Sequence, residues 1–343
     1  MARIIGDNRD NTLVGTRDAD FIAGRGGDDH LLGRGGDDTL DGGPGDDTYD
    51  GGPGRDTLTF AKLQGDEGVF ISAFLSGDFV GRQITFPEDF SLLTSIEAIV
   101  GSENDDTIPG DVGRDELRGG GGQDRLDGLG GSDRIRGGPG ADIIFGDDPN
   151  DATGLFGPEG NDRLLGEDGN DQLFGSDGHD EIRGGSGFDI LDGNAGDDVL
   201  VGGVGPDIFR YRLIDHLDEF EPVAGDGEDL VRDFTRGTDL LSLELFATDG
   251  FDEDRERGAA LFDAVDTNGN GVLDNADDHV QVANVTHQDE TRRSTIIELG
   301  ERHDELFGTS GGFGADDRLV VFGVTGLTVD DVAPFSVEPL FFG

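Results

Sequence analysis

A nine-residue phase limits what this chain can fold into more than any other feature. The frame is G-x-x-G-x-D-x-U-x, where U is a large apolar residue. It fits six consecutive nonapeptides from Gly6 to Thr59. Their sixth positions are Asn11, Asp20, Asp29, Asp38, Asp47 and Asp56; their eighth are Leu13, Ile22, Leu31, Leu40, Tyr49 and Leu58. Five more run from Gly101 to Phe145, with Asp106, Asp115, Asp124, Asp133 and Asp142 in register. An eleven-residue variant, GDDPNDATGLF at 146–156, contains Asp151. Six further nonapeptides from Gly157 to Arg210 carry Asp162, Asp171, Asp180, Asp189, Asp198 and Asp207. Acidic, Gly-rich chains with few aromatic residues are usually disordered, but composition alone does not hold one phase across two blocks. Repetition of this kind marks a stacked, quasi-one-dimensional fold.

The residue types account for the spacing. Gly supplies the positive φ of tight turns and lets carbonyls converge. Asp adds a hard anionic oxygen, the ligand Ca2+ prefers at about six to eight coordination. The three residues around U are too short for an independent strand, yet stacked on their neighbours they form a ladder with U pointing inward. The net charge of −51, from 76 Asp plus Glu against 25 Lys plus Arg, repels itself in any compact state unless cations neutralise it. The same charge argues against nucleic acid and anionic membranes as direct partners. With no Cys in the chain, disulfides and thiolate metal sites are excluded. No apolar stretch approaches the ~20 residues of a transmembrane helix, and MARIIGDNRD lacks the apolar core of a Sec signal peptide.

The nonapeptide resembles that of the RTX, or hemolysin-type, calcium-binding repeats. The resemblance covers about half the chain and implies an all-β fold, a parallel β-roll in two blocks. Two nonapeptides make one turn of such a roll, so equivalent turns lie two repeats apart. Each Ca2+ then sits between such a pair and takes a carboxylate from each, with carbonyls from the Gly-rich turns. The implied ligands are Asp20, Asp29, Asp38, Asp47 and Asp56 in the first block. In the second they are Asp106, Asp115, Asp124, Asp133, Asp142, Asp151, Asp162, Asp171, Asp180, Asp189, Asp198 and Asp207. A run of n nonapeptides offers n − 2 sites, or roughly 11 to 14 ions in all, depending on whether 146–156 keeps the stack continuous. The first nonapeptide, with Asn11 for Asp and Arg9 for Gly, reads as a solvent-facing cap.

The expected domain pattern is a first roll at 1–59, a β-like interruption at 60–100, a second roll at 101–210 and a capping region at 211–343. Within the interruption, GVFISAFLSG has the pattern of a strand, and LLTSIEAIVGSENDDTI leads back into the repeats. A repeat stack exposes its last apolar layer, so a cap is physically required. DGEDLVRDFTRGTDLLSL at 226–243 resembles the closing segment of serralysin-like proteases, with Phe234, Leu240, Leu241 and Leu243 as expected core. DTNGNGVLDNAD at 266–277 matches an EF-hand loop: Asp266, Asn268 and Asn270 at positions one, three and five, Gly271 at the turn, the Val272 carbonyl at seven and Asp274 at nine. Position twelve is Asp277 rather than Glu, which weakens bidentate ligation. A short helix is expected before it, over 254–265. The apolar tail from Arg318 resembles an uncleaved signal read by type I secretion machinery, which implies an extracellular location.

No catalytic constellation emerges. His30, His179, His216, His279, His287 and His303 form no HExxH or other ligand spacing. GTSGG at 308–312 satisfies GxSxG around Ser310, but GGFGAD follows it where a nucleophile elbow needs a helix. The repeat register already begins at Gly6, which is expected to leave no room for a preceding catalytic domain. The leading expectation is a secreted, non-enzymatic calcium-binding β-roll whose folding is coupled to extracellular Ca2+. The alternatives are a calcium-dependent adhesin that binds glycans or cell surfaces, and an export and folding module associated with a secreted enzyme.

Overall fold

The computed structural model describes residues 1–45, 47–61, 71–72, 82–85, 90–94, 96–111, 113–147, 160–215, 228–247, 272–273, 280–287, 290–298, 318–321, 324–325, 327–328 and 331. Contacts divide the chain into two units, Met1–Gln172 and Leu173–Gly343. Among the described residues the regular elements are strands. The helix expected over 254–265 lies outside them.

In the first unit each nonapeptide contributes one short strand, and successive strands alternate between two faces. One face stacks Arg3–Ile5, Phe21–Ala23, Thr39–Asp41 and Thr57–Thr59 in parallel, each 18 residues from the last. Ala98–Val100 then pairs in parallel with Thr57–Thr59 behind it and Glu116–Arg118 ahead of it, so this face runs through the interruption. Arg134–Pro139 and Arg163–Asp168 follow, with Ile135 opposite Leu164, a step of 29 residues rather than 18.

Among the described residues the opposite face does not run through. Thr12–Val14, His30–Leu32 and Thr48–Asp50 stack in parallel and are continued by Phe90–Thr94. Arg82–Thr85 and Ile71–Ser72 then close that sheet in antiparallel fashion. The strands Thr107–Asp111, Arg125–Leu129 and Ile143–Phe145 start a separate parallel sheet.

The second unit repeats the pattern. Glu181–Ser186, Val199–Val204, Glu228–Val231 and Arg318–Val321 stack in parallel, and Glu290–Glu298 and Val280–His287 end the sheet as antiparallel strands. Its other face carries Ile190–Ala195, Ile208–Asp215 and Leu240–Ala247 in parallel. The nonapeptide thus builds a parallel β-roll, as its resemblance implied.

Position eight of the repeat forms the core. Ile22, Leu31, Leu40, Leu58, Ile108, Leu117, Leu126, Ile135, Ile144 and Leu164 are fully buried in the first unit, and Leu173, Ile182 and Leu191 in the second. Each contributes about 1.5–3 kcal/mol of apolar burial. Leu13, in the first nonapeptide, is only half-buried. Of the expected cap core, Phe234 and Leu241 are buried and Leu240 is half-buried; the side chain of Leu243 is outside the described residues. No helix among the described residues is long and apolar enough to cross a membrane.

Candidate functional site

Each turn between faces places its sixth-position carboxylate inside the stack. Every nonapeptide Asp in the expected set is at most 3% exposed, except Asp151, which lies outside the described residues. One oxygen of each carboxylate is used structurally. In the first unit the Asp20 amide donates to Asp38 Oδ1 at 2.7 Å, Asp38 to Asp56 at 2.8 Å, Asp124 to Asp142 at 2.9 Å and Asp142 to Asp171 at 2.9 Å. In the second unit Asp180 donates to Asp198 and Asp189 to Asp207. The result is a column of carboxylates along the turns of each face, one strand spacing apart, about 4.8 Å.

The other oxygen is where the chemistry lies. Oδ2 of Asp29, Asp38, Asp56, Asp124, Asp133, Asp142, Asp198 and Asp207 is buried and receives no hydrogen bond. A buried anionic oxygen without a donor carries its full desolvation cost. Burial accordingly pushes the carboxyls of Asp56, Asp142 and Asp207 up to about 6, Asp124 to about 8 and Asp133 to about 9. Asp29 and Asp38 are raised for the same reason. A bound cation removes that cost, so these residues fit a hard metal ion. Among the described residues no group of three His, Asp or Glu side chains converges to hold one, and carbonyls must complete the shell.

The turns are shaped to supply them. Oδ2 of Asp29 is tucked beneath Gly24, where a Cβ would strike both that oxygen and the Gly42 carbonyl. A Cβ on Gly140 would strike the Gly122 carbonyl, and one on Gly205 the Gly187 carbonyl. Carbonyl oxygens of one turn therefore lie close against the glycines of the next, and at Gly24 a carbonyl and a carboxylate oxygen share that space.

Turns also differ at their second residue. Arg25, Arg34, Gly43, Gly52, Gly120, Leu129, Gly138, Glu167, Ser176, Gly185, Asn194 and Gly203 hold positive φ there. For the non-glycine members this costs roughly 1–2 kcal/mol each, and a bulky residue such as Leu129 is uncommon in that region. Thr16, Ser102 and Thr235 keep negative φ. Their amides donate to Oδ2 of Asp20 (2.7 Å), Asp106 (2.6 Å) and Asp239 (2.7 Å), respectively. The Thr16 hydroxyl adds a bond to Asp20, and the Ser102 hydroxyl bonds Asp106. The amides of Ala2 and Thr16 hold the Asp20 carboxyl below its ordinary value. Asp239, despite its bonds, is raised by burial.

Three acidic residues outside the recognised repeats continue these columns. Glu97 Oε2 accepts from the Asp56 amide at 2.8 Å. Asp229 accepts from Asp198, and Asp239 from Asp207, at 3.0 and 3.1 Å. The sequence carries a faint signal for two of them: Glu97 and Ile99 precede Asp106 and Ile108 by nine residues, and FTRGTDLLS places Asp239 sixth and Leu241 eighth. Without the glycines the frame is hard to see.

The EF-hand-like loop is largely untouched by these observations. Asp266, Asn268, Asn270 and Asp277 lie outside the described residues. Val272 belongs to a two-residue strand, Val272–Leu273, antiparallel to Leu327–Thr328.

A family model of the RTX calcium-binding nonapeptide repeat matches residues 5–40, 24–58, 100–135, 118–151, 155–182 and 174–209. No curated protein matches the chain. Among solved structures it is similar to the extracellular lipase LipA from Serratia marcescens, at 16% identity and a TM-score of 0.23, over 95% of this chain and 40% of that one. The chain thus spans less than half the length of that lipase.

Proposed function

The nonapeptide blocks belong to the RTX calcium-binding repeat family, and from that premise we propose that this is a secreted protein whose β-roll folds when it meets extracellular calcium. The observation that carries the reading is the set of buried Asp Oδ2 atoms without a hydrogen-bond donor, repeated along the stack. Asp29, Asp38, Asp56, Asp124, Asp133, Asp142, Asp198 and Asp207 would hold the ions, with turn carbonyls as co-ligands. Calcium supplies the positive charge that the chain's net −51 lacks. Where free calcium is scarce, repulsion among these carboxylates opposes the compact state. Where it is abundant, binding energy becomes folding energy. Nothing in this role calls for catalysis.

Circular dichroism of the calcium-free chain should show little β structure, and titration with Ca2+ should restore it cooperatively. Magnesium, smaller and more reluctant to lose water, should not substitute at equal concentration. A β signal unchanged by complete removal of calcium would falsify the coupling.

A further inference from the structure

We infer that the second residue of each nonapeptide decides whether its turn takes an ion, and that the turns of Asp20, Asp106 and Asp239 are ion-free closures. This rests on the calcium reading above. Asp29, Asp38, Asp56, Asp124, Asp133, Asp142, Asp198 and Asp207 each have a second residue at positive φ: Arg25, Arg34, Gly52, Gly120, Leu129, Gly138, Asn194 and Gly203, respectively. At Thr16, Ser102 and Thr235, which keep negative φ, the amide of that residue is turned onto Oδ2. One rotation of the peptide therefore chooses between two ways of satisfying the same oxygen. In one the chain supplies a proton donor; in the other the oxygen is left for a cation. At Gly120 the amide goes instead to the Gly137 carbonyl of the next turn, at 3.0 Å.

The residue types at these positions make the choice. Thr is β-branched and poorly tolerates positive φ, which holds Thr16 and Thr235 in the closing conformation. Serine can adopt either, as Ser176 at φ 79° shows; at Ser102 the hydroxyl bonds to both Asp106 oxygens, 2.9 and 3.2 Å, favour closure.

The closing turns also sit where a stack begins or ends. Asp20 leads its column, with only the Ala2 amide behind it, at 2.6 Å from Oδ1. Asp106 opens the sheet that starts at Thr107. Asp239 belongs to the non-repeat segment that follows Asp207. The first nonapeptide makes the same closure with a neutral side chain: the Asp7 amide donates to Asn11 Oδ1 at 2.8 Å. A turn that closes with Asn has no need of a cation.

Bound calcium is counted at saturation on the full chain, by equilibrium dialysis and elemental analysis. Asp20→Asn and Asp106→Asn should bind as many ions as the wild type, and Asp124→Asn at least one fewer. Arg25→Thr and Leu129→Thr, which exchange one side chain for another at a left-handed position, should each lose at least one ion. An ion lost from Asp20→Asn or Asp106→Asn, or none lost from both threonine variants, overturns this inference and leaves the calcium reading standing. A wild type that binds no calcium overturns both. Arg25→Thr lies near the start of the stack, so it remains informative if Leu129→Thr fails to fold.

Discussion

At the scale of single residues, the repeat separates glycines that are required from glycines that are merely present. Gly24 and Gly26 belong to the same turn. A Cβ at Gly24 would overlap Asp29 Oδ2 and the Gly42 carbonyl, whereas one at Gly26 meets only the Pro44 carbonyl at 3.5 Å. Gly24→Ala is therefore expected to destabilise the calcium-loaded protein by about 1–3 kcal/mol, the usual cost of overpacking. Gly26→Ala should stay within about 0.5 kcal/mol of wild type. Thermal melts at fixed saturating calcium distinguish the two, and equal effects would mean that Asp29 does not occupy the space beneath Gly24.

At the scale of elements, the strand Ala98–Val100 joins the two repeat blocks. It has the repeat's geometry without its glycines. The backbone of Glu97 donates to the Asp56 carbonyl at 3.2 Å and accepts from the Glu116 amide at 2.9 Å, while its side chain holds the Asp56 amide. Asp56 is fully buried, so deleting the Glu97 carboxylate strands a buried N–H, a loss of about 1–3 kcal/mol. Glu97→Ala should lower the melting temperature in saturating calcium, and Glu97→Gln, which keeps an acceptor oxygen, should recover most of it. Equal melting of the two variants would show that the hydrogen bond does not hold the junction.

At the scale of the molecule, stability, charge and protons are linked. Asp124 and Asp133 are pushed up to about 8 and 9, and Asp56, Asp142 and Asp207 to about 6, from an ordinary value of 3.8, chiefly by burial. Because the folded values lie above the unfolded one, the folded state binds protons more tightly. The stability tied to these groups is fully present below about pH 4 and is lost as pH rises through about 6 to 9. The calcium-free chain should thus gain β structure on acidification toward pH 4, read by circular dichroism. Calcium binding near pH 7 should release protons, measurable as a buffer-dependent heat in calorimetry. β structure that instead grows with rising pH in calcium-free solution would contradict this burial of ionisable oxygens.

The sequence by itself determined the inward row and the turn carboxylates. Position eight and position six are fixed by a local nine-residue phase, and Leu126 and Asp124 are buried where that phase puts them. It also marked Asn11 as the end of a stack. It did not reveal that Glu97, Asp229 and Asp239 continue the columns, because those residues lie 41, 31 and 32 positions from their partners rather than 18. Their equivalence exists only once parallel pairing brings them one strand spacing apart. Nor did a shared Asp distinguish Asp20 from Asp29. That difference resides in the rotation of one peptide at Thr16 against Arg25, and only the folded turn shows whether an amide faces the carboxylate.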